Sequence, residues 1–212
     1  MNTFISDLNW RYATKKYDAS RKVSGQDLEI LKQAIRFSPS SLGLQPYKVV
    51  IIEDQAVREQ LAEVSFANKD SIKNASHVFV FANIVDFGKQ EDISEFLENI
   101  SKTRGIPMEN LEEMRAKVTS SVHAKETEAR NTWTSKQTYI ALANLLNAAA
   151  SLKIDATPME GFQPEKYDEI LGLTQKGLSA SVIGVVGYRH EEDKFKDLKK
   201  VRKPENELFI TL

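Results

Sequence analysis

Apolar positions change their spacing several times along the chain, and each change marks an element. Residues 3–13 place Phe4, Ile5 and Leu8 on one side of a short predicted helix. Ser24 stands as an N-cap, with Asp27 three residues on and Leu28, Leu31 and Ile35 recurring at helical spacing through Phe37. At 47–53 ("YKVVIIE") and 77–84 ("HVFVFANI") the pattern becomes near-continuous runs of β-branched and aromatic residues, which predict strands. Neither run alternates polar and apolar, so both faces of each strand are expected to be covered. A helix at about 55–64 and the polar turn "SFANKDSIKNAS" separate them, and "GLSASVIGVVGY" (177–188) predicts a third buried strand.

Two long stretches depart from this body. Residues 86–130 are strongly charged, hold few large apolar side chains and break at Gly105-Ile106-Pro107, which predicts a helical excursion with a solvated outer face. Residues 133–152, "WTSKQTYIALANLLNAAASL", form the most apolar helical stretch, with small residues all round, as suits a helix packed on several sides or against a partner's copy. The last residues, 207–212 ("ELFITL"), predict a short β-prone tail at the end of an arm from about 203, with nothing near in sequence to pair with. Such a tail can add to another sheet edge, including that of another subunit. Helices and strands are mixed, with helix the larger share, so the class is α+β and residues 1–212 form a single domain.

Composition narrows the chemistry. With 212 residues, 41% of them hydrophobic and 28% charged, the chain can bury one substantial core. A net charge of -1 gives no global field for nucleic acid or an anionic membrane. No apolar run approaches the roughly 20 residues of a membrane span, and the N-terminus lacks the pattern of a signal peptide, so a cytoplasmic protein is expected. Cysteine is absent, which removes disulfides, thiolate nucleophiles, iron–sulfur clusters and cysteine-ligated zinc. His77, His123 and His190 are far apart in sequence and none has metal-ligand spacing. Redox chemistry in such a chain needs an organic cofactor.

Four polar stretches stand out, each with an ordinary reading beside the functional one. In "NWRYATKKYD" (9–18) the basic residues could simply complement a helix C-terminus. "SPSSLGLQPY" (38–47) could be only a turn. In "ATPMEGF" (156–162), Glu160 could be a surface carboxylate, although Gly161 also lets a flat ligand approach the main chain. "DLKKVRKP" (197–204) could be a solvated face, or could cradle a phosphate. No GxGxxG or GxxxxGK[ST] occurs, so a Rossmann or Walker-type site is not indicated.

Taken together and in order, these stretches resemble the FMN-dependent nitroreductase family. The likeness runs from Arg11 to Asp18, through Ser38 to Tyr47, through Phe66, Asn68 and Ala75 to His77, then Pro158 to Phe162, and ends at Lys200, Arg202 and Pro204. The resemblance implies a central mixed β-sheet flanked by helices in an intertwined homodimer, with FMN sites at the subunit interface. It implies that Arg11, Lys200 and Arg202 hold the FMN phosphate, with Tyr12 and Ala13 making main-chain contacts beside it. Lys15 and Asn68 would face the ring's polar edge or the ribityl chain, Lys15 stabilising charge near N1/O2. Pro158, Met159, Glu160 and Gly161 would lie along one ring face, with the Glu160 or Gly161 backbone near N5. Pro39, Ser40, Ser41 and Gln45 would reach each flavin from the other subunit, and Leu42, Phe66, Asn68, Ser71 and Thr119 would border the substrate.

The activity implied is ping-pong transfer of hydride from NADPH or NADH to nitroaromatics, quinones or related small-molecule acceptors, with no side-chain base. A dedicated flavin or dihydropteridine reductase, or a flavin-binding protein with little turnover, are the alternatives. Three positions depart from the family pattern. Gly43 stands where close relatives often carry asparagine, and Ser71 where relatives place a lysine that Lys69 could replace. Val118-Thr119-Ser120 stands where some nitroreductases carry an aromatic pair, so a more open and less aromatic pocket is expected.

Overall fold

The computed structural model describes residues 2–212. Helix α1 (Thr3–Trp10) is capped by the Asn2 side chain and stops at Arg11, whose backbone turns extended. The predicted helix to residue 13 is therefore three residues too long, because Thr14 and Tyr17 are drawn down into the buried interior. Helix α2 (Gly25–Arg36) starts where expected: the Ser24 hydroxyl accepts the Asp27 N–H and the apolar stripe buries Leu31 and Ile35. Strand β1 (Tyr47–Ile52) leads to α3 (Gln55–Glu63), then to α4 (Lys69–Asn74) and strand β2 (His77–Ile84). The excursion supplies α5 (Gln90–Arg104) and α6 (Glu112–His123), with Gly105 at φ 66° ending α5 in a left-handed cap. Long helix α7 (Thr127–Ser151) begins six residues earlier than predicted. It is followed by β3 (Asp155–Met159), α8 (Pro164–Leu171), β4 (Leu178–Gly187) and a single helical turn, α9 (Glu205–Leu208).

The strands lie in the order β1-β2-β4-β3, and every ladder is antiparallel. The mixed sheet implied by the resemblance is thus not present within one chain. Strand β3 escaped the sequence reading because it is short and contains Pro158. Its position at the sheet edge explains why proline is tolerated there, since an outward-facing position needs no N–H donor. The tail read as β-prone instead forms α9, and residues 209–212 extend from it with Phe209, Ile210 and Leu212 exposed.

The sheet is covered on both faces, as the unbroken apolar runs required. Val78, Val80 and Ala82 of β2 face a cluster with Leu61, Ile72 and Tyr167, while Phe79 and Phe81 face the other way, onto Leu31, Leu142 and Leu145. Each large side chain buried this fully contributes roughly 1.5–3 kcal/mol. Gly184 lets α7 sit close on β4: a Cβ there would lie 2.9 Å from Leu142 Cδ1. The excursion has a small core of its own, in which Phe87, Ile93, Leu97, Leu111, Val118 and Val122 pack with Leu44.

Candidate functional site

Segment 11–16 and the C-terminal stretch 193–202 are distant in sequence and are fastened together by one carboxylate. Asp193 is buried and accepts the backbone N–H groups of Lys15 (2.7 Å), Lys16 (3.0 Å) and Phe195 (2.8 Å). Burial pushes its carboxyl up, but the N–H bonds from Lys16, Phe195 and Lys15 outweigh that, so its pKa lies below the ordinary 3.8. Lys200 donates to the carbonyls of Leu8 and Arg11, closing the other side. Beneath lies Asp155, which accepts from Thr14 Oγ1 (3.1 Å), the Arg189 N–H (2.8 Å) and Arg189 Nε (2.8 Å). Tyr17 and Thr157 share a hydrogen bond of 2.9 Å, and Thr157 Oγ1 donates to the Thr14 carbonyl at 3.0 Å.

This framework shapes a cleft of about 340 Å³ whose lining includes Arg11, Tyr12, Ala13, Lys15, Lys200 and Arg202. Those are the residues expected at the phosphate and at the polar edge of the ring. Burial and the neighbouring Arg202 lower the Arg11 pKa, and burial, Arg11 and Arg202 lower that of Lys200. Among the described residues, none of Arg11, Lys15, Lys200 and Arg202 pairs with a carboxylate, whereas neighbouring Lys16 pairs with Glu192. Like charges pressed together without counter-ions make a cradle for an anion, and guanidinium with ammonium groups suits a phosphate.

The 66–71 turn joins this cleft to the 158–162 stretch. Ser71 is buried and its hydroxyl donates to the Lys15 carbonyl at 3.3 Å, so it positions the 11–15 segment instead of presenting itself to solvent. Asn68 Nδ2 donates to the Gly161 carbonyl at 3.1 Å, and Phe66, 58% exposed, lies beside Gly161. A Cβ on Gly161 would come within 2.9 Å of Asn68 Nδ2. Pro158, Met159 and Glu160 line a groove of about 470 Å³ against α7, and there Tyr139 donates to Glu160 Oε1 at 2.6 Å. Burial, with the Glu160 carboxylate next, pushes the Tyr139 hydroxyl up to about 12. Lys69 pairs with Glu63 at 2.8 Å on the exposed surface.

The remaining expected residues lie elsewhere in the chain. The Ser41 N–H donates to Gln137 Oε1 of α7 at 2.8 Å, the Gln45 amide donates to the Arg36 carbonyl at 2.9 Å, and Ser40 Oγ accepts the Gln45 N–H at 2.9 Å. Leu42, Gly43 and Gln45 all have positive φ, a strained left-handed path for the two that are not glycine. Exposed Leu42 borders a groove against α5 and α6, and Thr119 borders a different one with Gly88, Arg115 and His123; neither groove shares a residue with the basic cleft. Asp155, Asp193, Arg189 and Tyr139 were not anticipated from sequence. Their partners lie as much as 178 residues away, a separation that no local pattern carries.

Comparison with known proteins shows the family. A profile described as "Nitroreductase family" matches residues 8–188, and the chain belongs to the nitroreductase family. The Major NAD(P)H-flavin oxidoreductase of Aliivibrio fischeri is 37% identical over 98% of both chains. Among solved structures, a nitroreductase family protein from Streptococcus pneumoniae superposes with a TM-score of 0.84 at 17% identity, covering 99% of this chain and 100% of that one. An Exiguobacterium sibiricum protein solved in complex with FMN superposes with a TM-score of 0.83 at 17% identity, covering 99% and 97%. At these identities the structural likeness speaks for the fold. Among the described residues no helix is long and apolar enough to cross a membrane.

Proposed function

We propose that the chain is an FMN-dependent NAD(P)H oxidoreductase with a ping-pong cycle, working as a homodimer in the cytoplasm, where its nicotinamide donor is available. The observation that carries this reading is the cleft in which Arg11, Lys15, Lys200 and Arg202 converge without a carboxylate among the described residues to neutralise them. Bound FMN supplies the hydride chemistry, accepting from NADPH or NADH and delivering to a nitroaromatic, a quinone or a related acceptor. Arg11, Lys200 and Arg202 hold its phosphate, with Tyr12 and Ala13 lining the approach. Lys15 places positive charge where the reduced ring carries negative charge. Asn68 holds the Gly161 carbonyl, which fixes the backbone of Glu160 and Gly161, with Pro158 and Met159, as one wall for the ring.

Residues Pro39, Ser40, Ser41 and Gln45 complete the site from the partner. Three features favour that arrangement over a site made within one chain. The loop lies apart from its own chain's cleft, α7 leaves Tyr139 and Ile140 about 40% exposed, and the tail leaves Phe209 67% and Ile210 88% exposed. Leu42, Phe66, Asn68, Ser71 and Thr119 were expected around the acceptor; Leu42 and Phe66, both exposed, suit contact with it, while Ser71 acts through Lys15. A dedicated flavin reductase of the same fold is the second reading, favoured by the resemblance to the Aliivibrio fischeri flavin oxidoreductase.

The test compares flavins with and without the phosphate. Arg202→Ala should weaken FMN about tenfold or more and leave riboflavin unchanged, since a charge-assisted hydrogen bond to phosphate is lost. Equal losses for both flavins would refute the phosphate assignment. If neither NADPH nor NADH bleaches the bound flavin under anaerobic conditions, the reductase reading is wrong.

A further inference from the structure

The groove beside the 40s loop remains unassigned, and its chemistry is specific. It has a volume of about 510 Å³ and an apolar lining of Leu42, Phe96, Ile100, Met114 and Val118. Two cations stand at its edge. Lys117 is already paired with Glu113 at 2.6 Å, whereas Arg104, in the last turn of α5, has no carboxylate partner among the described residues. The neighbouring groove, on the other side of Gly43 and Phe96, sets Asp92, Glu95 and Glu98 against Arg36, Lys48 and Lys102, so its charges balance.

Gly43 forms the joint between the two grooves. Its φ of 73° favours glycine, and a Cβ would point at Phe96 Cε2, 3.9 Å away. Asparagine tolerates such a φ better than other side chains, and its Cβ would sit in ordinary contact with Phe96. Glycine places no polar side chain at this joint. Helix α6 turns Met114, Lys117 and Val118 toward this groove and Thr119 toward the other.

We infer that this groove is a tail subsite, which takes the apolar chain of an elongated acceptor and holds an anionic end group, such as a carboxylate, at Arg104. The inference rests on the FMN reading above, because it is Ser40 and Ser41 that bring the mouth of the groove at Leu42 to the partner's flavin. An acceptor whose reducible head lies on that flavin then has an apolar path leading away from it, with one uncommitted cation at its rim. The substrate class is thus amphipathic: a reducible ring carried on an alkyl chain with a terminal acid.

The experiment uses the intact dimer and three quinones that share one head: the head alone, the head on a long alkyl carboxylate, and the same chain ending in a neutral amide. Wild-type protein should favour the carboxylate-tailed quinone over the bare head by about tenfold or more in kcat/KM, from burial of several methylenes. Met114→Trp should fill the groove and erase that advantage while the bare head turns over as before, and Met114→Ala should reduce it only partly. Arg104→Gln should lower kcat/KM for the carboxylate several-fold and leave the amide unchanged. Equal use of all three quinones by the wild type, or a loss in Met114→Trp shared equally by the bare head, overturns the subsite. Dissociation of the Met114→Trp dimer also overturns it, by showing that the groove is covered by the other subunit. A protein that takes up no FMN sinks the FMN reading and this inference together. One that reduces the bare head but ignores the tail sinks only this inference.

Discussion

The basic cleft and the Ser38–Tyr47 loop are both expected at the flavin, yet they are built by opposite means. The cleft is held from beneath by buried carboxylates, Asp155 and Asp193, which gather backbone and side-chain donors from segments far apart in sequence. The loop is held by local bonds, with Ser40 to Gln45 and Gln45 to Arg36, and by a longer one to Gln137 of α7. It carries strained φ values at Leu42 and Gln45, with Ser41 and Gln45 exposed, Ser40 half-buried and Ser38 buried. The cleft is thus fixed by long-range bonds within one chain, while the loop is fixed mainly by bonds to its near neighbours and leaves Ser41 and Gln45 exposed. That difference fits the proposed shared site, in which the loop serves the partner's cleft.

Breaking the cleft's foundation should give the largest effect. Asp155→Ala removes the buried partner of Arg189 and Thr14, and a broken buried pair costs about 3 kcal/mol or more. Urea denaturation should show that loss, whereas Ser40→Ala should leave the midpoint almost unmoved. Mixing tests the two halves against each other. Arg11→Ala and Ser40→Ala dimers should each be impaired, and after subunit exchange the heterodimers should carry one intact site in two. That restores about a quarter of wild-type activity in an equal random mixture. No recovery after verified exchange would mean that each site is built from one chain.

A smaller effect is expected at Asp193. Asp193→Asn weakens the acceptor for three backbone N–H groups and should cost about 1–2 kcal/mol. Its depressed pKa sets the pH window. The stability it supplies is fully present above the unfolded value of 3.8 and disappears as pH falls through the lower folded value. Thermal melts should therefore show wild type and variant converging in acid and separating at neutral pH. Smallest is Tyr139→Phe, which removes the donor to the exposed Glu160 and should cost about 1 kcal/mol or less in stability. Should Glu160 act only through its backbone, the pH profile of turnover should not move in this variant. A shifted profile would show that the carboxylate takes part.

Much of this fold is legible in the chain because its elements carry local signals. Ser24 and Asp27 fix the start of α2, and the unbroken apolar runs at 47–53, 77–84 and 177–188 mark strands covered on both faces. Strand β3 was not legible, since Pro158 argues against a strand unless the strand is known to lie at an edge. The end of α1 was not legible either, because the demand that ends it comes from Thr14 and Tyr17 meeting Asp155 and Thr157, about 140 residues later.

The residue types and their order by themselves determined the α+β class, the exclusion of thiol chemistry and the five short stretches that mark a nitroreductase. These follow from short-range sterics, apolar periodicity and composition, which each residue carries wherever it lies. Only the tertiary structure decided which of those residues meet. It gathered Arg11, Lys15, Lys200 and Arg202 into one cleft, made Ser71 a support for Lys15, and sent Leu42 and Thr119 to separate grooves. The reason is that charge clustering and hydrogen bonding act through space, and the buried aspartates that enforce them find their donors only when the sheet and α7 have brought distant segments together.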